Sequence, residues 1–508
     1  MSARETLELL ERFESRNVTF IEPDGSWPIV WERARGAQVW DADGNQYLDL
    51  TAAFGVAAAG HANPRVVKAG QRQMAKLPHA MGDVHPHALK AELARELSRI
   101  TFERWTATVN PPPAPKERSI HTAVIRPFSS REGLGVGLKN ARGGANPPTV
   151  LHGLVTAKTI FCNSGFEAVE AALKTAMLAT DKRGVIAFEG AYHGLGYGAL
   201  NTTHRAHFRS HFRTQLGGFG HFVPFPASDP DTGPDRPLTP PRRGNKPIGT
   251  RRAVPLPGGA RGGLTETEAQ LRRLFRREKI GAVLVEPIQV RGGINIPRPD
   301  FLPLLRRLCD EHGALLILDE IYTGFGRTGK WFACEHTETL PDILCLGKAM
   351  TGGFPLSACV GRSEVMDAAW PPSAGEAIHT STFLGHPVGC AMALAQIKEI
   401  KRLQLVRRSS KVGRLLLEML SGFSAQRLPV SLSARGRGLL VGLEACNPDG
   451  SPATKFALRI IKGMLRRGFI VLPEGEHANV VSFTPPLTIT GRELQAAVAA
   501  LAEILNHQ

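Results

Sequence analysis

The stretches ALLILDEIY (314–322) and DILCLGK (342–348) decide the fold class of this chain. In each of them a short apolar run ends in a charged side chain, Asp319 in the first and Lys348 in the second. Short apolar runs bounded by glycine, proline or charge are typical of strands that are buried on both faces of a parallel sheet. Such sheets bind ligands beyond the carboxyl ends of their strands, which is where both charged residues fall.

Two further apolar runs, VIAFE (185–189) and AVLVE (282–286), predict strands of the same sheet. The stretches between the strands have helical periodicity: EAVEAALKTAMLA (167–179), ETEAQLRRLFRRE (266–278) and FLPLLRRLCDEHG (301–313). This alternation of strands and helices predicts a doubly wound α/β domain with a mostly parallel sheet and right-handed crossovers.

The C-terminal part of the chain has a different pattern, which favours a smaller α+β domain. Its helix candidates are 386–404, 411–422 and 491–505, beside the strand-like LLVGLEA at 439–445. We therefore expect three parts. These are an N-terminal segment that packs with the small domain (1–65), a large domain (66–385) and the small C-terminal domain (386–508).

Composition places the chain among ordinary globular proteins. Of its 508 residues 42% are hydrophobic and 21% charged, which excludes a fully disordered chain. The N-terminal MSARETLELLERFESRN lacks the apolar core of a signal peptide, and no apolar run is long enough to span a membrane. The seven cysteines include no CxxC pair and are odd in number, which indicates a reducing compartment. We expect a cytoplasmic protein.

The formal net charge of +16 raises the question of nucleic-acid binding. More than half of it lies in two segments, 103–158 and 224–264, which are rich in proline or glycine. Neither segment has sustained helix or strand periodicity, so both predict long loops or disordered insertions. They contain almost no aromatic residues to interleave with bases. This disfavours a nucleic-acid partner, although a binding protein with basic interaction loops stays open as an alternative.

The start of one helical pattern could hold a phosphate. Ser164 and Gly165 follow the apolar TIFCN (159–163) and precede Phe166. A small hydroxyl and a glycine at a helix N-terminus offer unpaired backbone N–H groups and the positive end of the helix dipole. The alternative is an ordinary helix cap.

Four other strand ends carry polar or aromatic side chains. Tyr192 could stack on a flat cofactor or be a buried aromatic residue, and Glu286 and Gln289 place polar groups beside it. Asp319 is costly to bury without a cationic partner, which favours a functional role over a structural ion pair. Lys348, if its pKa is lowered there, becomes a nucleophile for carbonyls rather than a solvated lysine.

Together these groups are the set that pyridoxal phosphate requires. Its aldehyde reacts with a lysine, its ring nitrogen needs an anionic partner, and its phosphate needs N–H donors. We therefore expect pyridoxal 5'-phosphate as the cofactor and no metal.

At this point the sequence resembles the class III (ω-) aminotransferases, which are pyridoxal-phosphate enzymes of fold type I. The matching stretches run in family order over nearly the whole chain. They are DADGNQYLDLTAAFGVAAAGHANPRV (41–66), NSGFEAVEAAL (163–173), AYHG (191–194), VEPIQ (285–289), LDEIYTGFGRTG (318–329), GKAMTGGFPLSACVG (347–361), STFLGHP (381–387), RGRGLLVGLE (435–444) and FTPPLTIT (483–490).

The resemblance implies roles for the residues around the cofactor ring. Lys348 would bind the cofactor aldehyde and carry the proton of the reaction, and Asp319 would pair with the ring nitrogen. Ile321 and Tyr192 would pack on the two ring faces. Gln289 would hydrogen-bond the ring hydroxyl, and a neighbouring carboxylate would support it.

That neighbouring carboxylate is Glu286. Ser164, Gly165 and the backbone of Phe166 would hold the phosphate, although a serine or threonine is usual where Phe166 stands. Thr382 would reach the phosphate of the neighbouring subunit, because the family assembles as dimers with shared active sites. We therefore expect a homodimer.

Substrate recognition is implied for three residues. Arg435 matches the family arginine that binds a substrate carboxylate, and Phe54 would shape the pocket. Many members pair that arginine with a glutamate as a gate, and this sequence has Arg291 in place of the glutamate. Our hypothesis is that the site lacks the gate and presents extra positive charge. The alternative is that Arg291 meets solvent or a carboxylate elsewhere.

The resemblance implies an aminotransferase that moves an amino group from an ω-amino acid, a diamine or a related amine to a 2-oxo acid in a ping-pong cycle. Other reactions on the same scaffold stay open at this stage, namely those of an aminomutase, a decarboxylase or a racemase. A non-catalytic homologue also stays open, although Lys348 and Asp319 are both present.

Overall fold

The structure is a computed structural model that describes residues 1–22, 26–109, 155–227 and 264–507. The prediction of long loops at 103–158 and 224–264 therefore lies largely outside the described residues. At the ends of these segments the prediction was wrong, because a helix covers Arg104–Val109 and a strand begins at Ala157. Trp105 is buried in that helix, where its ring packs on Phe332.

The described strands follow one another along the chain as β1 (Trp31–Arg35), β2 (Gln38–Asp41), β3 (Gln46–Asp49), β4 (Ala157–Cys162), β5 (Gly184–Phe188), β6 (Gly220–Val223), β7 (Ile280–Val285), β8 (Leu315–Asp319), β9 (Ile343–Leu346), β10 (Ser357–Arg362), β11 (Ser431–Arg437), β12 (Leu440–Cys446), β13 (Phe469–Ile470), β14 (Leu472–Glu474) and β15 (Val480–Phe483).

The central sheet has seven strands in the order β4-β10-β9-β8-β7-β5-β6. Strands β6, β5, β7, β8 and β9 pair in parallel, and β10 is antiparallel to both of its neighbours. Alternate residues point to opposite faces of the sheet, so that Val283 and Val285 join one buried cluster and Ala282 and Leu284 another. Burial on both faces explains the unbroken apolar runs of the sequence.

The described α-helices are α1 (Ala3–Phe13), α2 (Ala52–Gly55), α3 (Pro64–Lys76), α4 (Ala88–Ser98), α5 (Arg104–Val109), α6 (Gly165–Thr180), α7 (Tyr197–Leu200), α8 (Ala206–Arg209), α9 (Leu264–Arg277), α10 (Phe301–His312), α11 (Ser363–Ala369), α12 (Pro387–Arg402), α13 (Leu405–Ser421), α14 (Thr454–Arg466) and α15 (Gly491–Asn506).

The predicted elements of the large sheet agree with the structure to within a few residues. The four predicted strands are β5, β7, β8 and β9, and the three predicted helices between them are α6, α9 and α10. The α/β fold class with a mostly parallel sheet is therefore confirmed.

Two smaller sheets accompany the central one. The order β11-β12-β15-β14 forms an antiparallel sheet of the C-terminal region. The order β1-β2-β3-β13 joins the N-terminal strands to the C-terminal region through a parallel pairing of β3 with β13. Among the described residues, none of the helices combines the length and the hydropathy needed to cross a bilayer.

Candidate active site

A cavity of about 460 Å³ opens at the carboxyl edge of the central sheet. It lies where the chain leaves β5, β7, β8 and β9 and where α6 begins. Its walls are formed by Gly165, Phe166, Tyr192, His193, Gly194, Leu195, Glu286, Ile288, Arg291, Asp319, Ile321, Tyr322, Thr323 and Lys348.

Lys348 lies two residues after the end of β9 and is held in an unusual backbone conformation. Its φ of 35° lies in the left-handed region, which costs a non-glycine residue free energy and is found most often at functional sites. Its Nζ atom lies 4.5 Å from the centre of the Tyr322 ring. Burial lowers the pKa of Lys348, and the carboxylates of Asp319 and Glu286 oppose that shift. A larger share of the amine is therefore neutral and nucleophilic than in a solvated lysine.

Asp319 ends β8 and is buried. One carboxylate oxygen, Oδ2, lies 2.8 Å from Nδ1 of His193, and the other accepts the backbone N–H of Ile321 at 3.1 Å. His193 is also buried, and its Nε2 atom has no hydrogen-bond partner among the described residues. An imidazole that donates to Asp319 provides the partner that a buried carboxylate needs.

The sides of the cavity are apolar and aromatic. Ile321 packs so closely on the start of α6 that a Cβ atom added at Gly165 would lie 3.0 Å from its side chain. The ring of Tyr192 is held by an edge contact with Phe208, with 5.5 Å between the ring centres. Burial raises the pKa of Tyr192, so that its phenol stays neutral.

The beginning of α6 closes one corner of the cavity. The Glu167 carboxylate accepts the backbone N–H groups of Asn163 and Ser164 at 2.6 and 3.1 Å. The Ser164 hydroxyl is buried and has no partner among the described residues. The first N–H groups of a helix have no acceptor within the helix. This corner is therefore suited to an anionic ligand.

Glu286 and Gln289 have different positions. Glu286 lies in the wall and accepts the backbone N–H groups of Tyr192 and Val290 at 3.0 and 3.2 Å. Burial raises the pKa of Glu286 to about 7. Gln289 lies outside the wall, and its amide donates to the Glu189 carbonyl at 2.8 Å.

Both arginines have carboxylate partners. Nη1 of Arg291 lies 3.3 Å from Oε2 of Glu474, and Nη1 of Arg435 donates to Glu444 at 2.6 Å. The hypothesis of uncompensated positive charge was therefore wrong, because each guanidinium has an acid of its own. Arg291 lies in the cavity wall and Arg435 does not.

Two other predicted residues lie outside the cavity of the single chain. Phe54 belongs to a turn in which Ala52, Ala53 and Phe54 all have positive φ, and the residue is 48% exposed. Thr382 is exposed in the segment before α12. The structure thus gathers most of the predicted site residues and leaves Phe54, Thr382, Gln289 and Arg435 apart from them. Ser164 is not itself part of the wall, but it precedes the wall residue Gly165.

The prediction of site residues from sequence missed His193 and Tyr322. Both lie directly beside predicted residues, since His193 follows Tyr192 and Tyr322 follows Ile321. Each lies a few residues after the end of a strand, and this was the available signal in the sequence. It was overlooked because neither side chain had been matched to a part of the cofactor. Among the described residues, no group of three metal-ligating side chains is placed to hold a metal ion.

These groups fit the chemical parts of pyridoxal phosphate. The buried Ser164 hydroxyl without a partner and the helix N-terminus suit its phosphate, and the buried Asp319 suits its ring nitrogen. Tyr192 and Ile321 offer flat and aliphatic surfaces for a ring. Lys348 supplies the amine for its aldehyde.

Comparison with known proteins supports the same assignment. The family model described as aminotransferase class-III matches residues 21–125 and 149–505. The acetylornithine aminotransferase of Methanosarcina mazei is 32% identical over 479 residues, which cover 94% of this chain and 92% of that protein. The 5-aminovalerate aminotransferase of Pseudomonas aeruginosa is 32% identical over 487 residues, with 94% of each chain covered.

The fold has a solved counterpart as well. An amine transaminase from an uncultivated Pseudomonas species, crystallised in its pyridoxal-phosphate-bound form, superimposes with a TM-score of 0.75. It is 24% identical, and the match covers 98% of each chain. The chain belongs to the class III aminotransferases. It is a transaminase that depends on pyridoxal phosphate.

Proposed function

We propose that this transaminase takes its amino group from an ω-amino acid, a diamine or a related amine and passes it to a 2-oxo acid. The observation that carries this proposal is that Lys348, Asp319 and Tyr192 line one cavity. Two relatives named for 5-aminovalerate and acetylornithine support an amine remote from the carboxylate.

We propose that Lys348 is the catalytic base. Pyridoxal phosphate, when bound, supplies an aldehyde and an electron-withdrawing ring. Nζ of Lys348 would hold the aldehyde between reactions and would move the proton of the substrate carbon during them. Because burial lowers the pKa of Lys348, Nζ is more often unprotonated, and so able to accept that proton, than the amine of a solvated lysine. The Tyr322 ring at 4.5 Å limits the positions open to the amine.

Asp319 holds the ring nitrogen in its protonated form in this proposal. The 2.8 Å contact with His193 and the Ile321 N–H orient the two carboxylate oxygens. Tyr192 and Ile321 would cover the ring faces. Glu286, in the wall, and Gln289, outside it, would act near the ring hydroxyl.

The phosphate would be held by the Ser164 hydroxyl and by the backbone of Gly165 and Phe166. Thr382 would complete this site from a partner subunit. A homodimer would place a second subunit over exposed apolar side chains such as Phe54 and Phe383.

The division into an N-terminal segment (1–65), a large domain (66–385) and a small domain (386–508) is part of the proposal. The pairing of β3 with β13 supports the packing of the first part on the third. A cytoplasmic location is supported by the cysteines, since those of the described residues are all free thiols.

The proposal is tested by incubating the cofactor-loaded protein with 2-oxoglutarate or pyruvate and a panel of donors. The panel contains 5-aminovalerate, acetylornithine, a diamine and an α-amino acid as the matched control. We expect stoichiometric formation of glutamate or alanine from a donor with a remote amine. Transfer from the α-amino acid alone would contradict the proposed donor class.

A further inference from the structure

Arg291 is the arginine that faces the cavity. Its side chain is 29% exposed, and its guanidinium carbon lies 5.8 Å from the centre of the Tyr192 ring. Nη2 of Arg205 donates to the Arg291 carbonyl at 2.5 Å, which fixes the backbone at this point. Among the described residues that form the wall, Arg291 is the one guanidinium group.

The ion pair of Arg291 with Glu474 is loose. Nη1 lies 3.3 Å from one carboxylate oxygen and 3.4 Å from the other, whereas a strong charge-assisted hydrogen bond spans about 2.7–2.9 Å. Glu474, at the end of β14, has a side chain that is only 2% exposed. A substrate carboxylate that could make two shorter hydrogen bonds to the same guanidinium would compete effectively with this partner.

Arg435 is bound much more tightly. Its Nη1 atom donates to Glu444 at 2.6 Å, its Nη2 atom donates to the Gly293 carbonyl at 2.6 Å, and its Nε atom donates to the Ile294 carbonyl at 3.0 Å. Its side chain is 10% exposed. A carboxylate that bound Arg435 in their place would take the guanidinium from Glu444 and from two backbone carbonyls at once, at a cost that one new pair does not offset.

We infer that Arg291, and not Arg435, is the receptor for the carboxylate of the 2-oxo acid acceptor, and that Glu474 is the counter-ion which this carboxylate displaces. The inference rests on the proposed function and deepens it. An amine donor without a carboxylate leaves the pair of Arg291 and Glu474 closed. The same cavity can then accept an amine donor with an uncharged chain and the anionic 2-oxo acid acceptor.

The displaced Glu474 takes up a proton. The charged or titratable groups that act on it are Arg291, Arg205, Lys348 and the Tyr322 phenol. Burial raises the pKa of Glu474 to about 7, and the nearby Arg291 and Arg205 oppose the shift. The acceptor anion therefore enters together with one proton, and the net charge of the cavity is unchanged. Affinity for the carboxylate should fall as the pH rises above 7.

The test is calorimetric titration of the cofactor-loaded protein with glutarate, a dicarboxylate that cannot accept an amino group. Arg291→Gln should raise the Kd for glutarate by about tenfold or more, and Arg291→Lys should restore part of the loss. Glu474→Gln should lower the Kd, because the competing charge is gone. If Glu474 only held Arg291 in place for binding, Glu474→Gln would instead raise the Kd for glutarate.

The controls are two other arginines. Arg298→Gln breaks an exposed pair with Asp300 of the same 3.3 Å separation and should leave the Kd within twofold. Arg435→Gln should lower the melting temperature and leave the Kd of the folded protein within twofold.

Weaker binding by Glu474→Gln, or loss of binding in Arg435→Gln but not in Arg291→Gln, would overturn the inference. Glutarate binding does not depend on turnover. Failure of amino transfer with these glutarate results intact would therefore contradict the proposed function alone.

Discussion

Nδ1 of the buried His193 lies 2.8 Å from Oδ2 of the buried Asp319. The backbone N–H of His193 donates to the Thr203 hydroxyl at 2.9 Å, so the backbone is held at the residue whose imidazole contacts Asp319. Asp319 lines the cavity and His193 holds its carboxylate in one orientation. His193 is thus a positioning residue for the group that faces the cofactor ring.

Replacement of His193 by Phe should lower kcat by about tenfold to a hundredfold. The loss of one donor to a buried carboxylate costs about 1–3 kcal/mol, and among the described residues the donor that Asp319 would keep is the Ile321 N–H. His193→Asn, which retains a donor, should recover part of the rate. The measurement is kcat together with the absorbance spectrum of the bound cofactor. An unchanged spectrum and rate in His193→Phe would show that the contact has no role in orienting Asp319.

Replacement of Lys348 by Ala should abolish both the absorbance band of the lysine-bound cofactor and amino transfer. The amine of Lys348 is the one that lines the cavity in the described part of the chain, and no other wall residue can react with an aldehyde. Lys330→Ala, at an exposed position outside the cavity, is the matched control and should keep both. A band that survives in Lys348→Ala would place the reactive amine elsewhere.

The sequence predicted the residues whose signal is local. Asp319 ends a buried strand, and Lys348 and Tyr192 each follow one. The parallel arrangement of β5, β8 and β9 brings such strand ends together. The pair of Arg291 and Glu474 had no such signal, because 183 residues separate the two and β14 belongs to another sheet. An arginine with no acidic residue near it in sequence is therefore weak support for a positively charged cavity, because its partner can come from a distant part of the chain.

The partner of Arg435 was closer to being predictable. Arg435 lies in β11 and Glu444 in β12, and the ladder pairs Arg435 with Gly442 and Ser433 with Glu444. The two charged residues are thus diagonal neighbours across one antiparallel ladder, within reach of long side chains. Recognising RGRGLLVGLE as a β-hairpin would have placed Glu444 within reach of Arg435, and so would have predicted this ion pair.

Glu474 should make the protein less stable as the pH rises. Its folded-state pKa is raised by burial from 4.5 to about 7, whereas the unfolded chain has the ordinary value. Stability from this group is therefore full below about pH 4.5 and is lost as the pH rises through 7. We expect the melting temperature of the wild type to fall more between pH 5 and 8 than that of Glu474→Gln. Thermal unfolding at fixed ionic strength measures this, and parallel curves would contradict it.

Gly194 should tolerate no side chain. Its φ is 110°, and a Cβ atom added there would lie 2.3 Å from Cβ of Phe166 at the start of α6. Gly194→Ala therefore has to push the loop after Tyr192 away from the corner that suits the phosphate. We expect the Kd for pyridoxal phosphate to rise by about tenfold or more, since a displacement of this kind costs about 1–3 kcal/mol.

The matched control for Gly194→Ala is Gly422→Ala. A Cβ atom at Gly422 meets nothing within 4 Å, and its φ is −60°, so alanine should be neutral there or slightly stabilising. Equilibrium titration of the apoprotein with pyridoxal phosphate, followed by absorbance, compares the two variants. Equal affinity in Gly194→Ala and Gly422→Ala would mean that the contact between the loop and α6 does not shape the phosphate corner. A loss confined to Gly194→Ala would tie cofactor affinity to the approach of one glycine to one helix N-terminus.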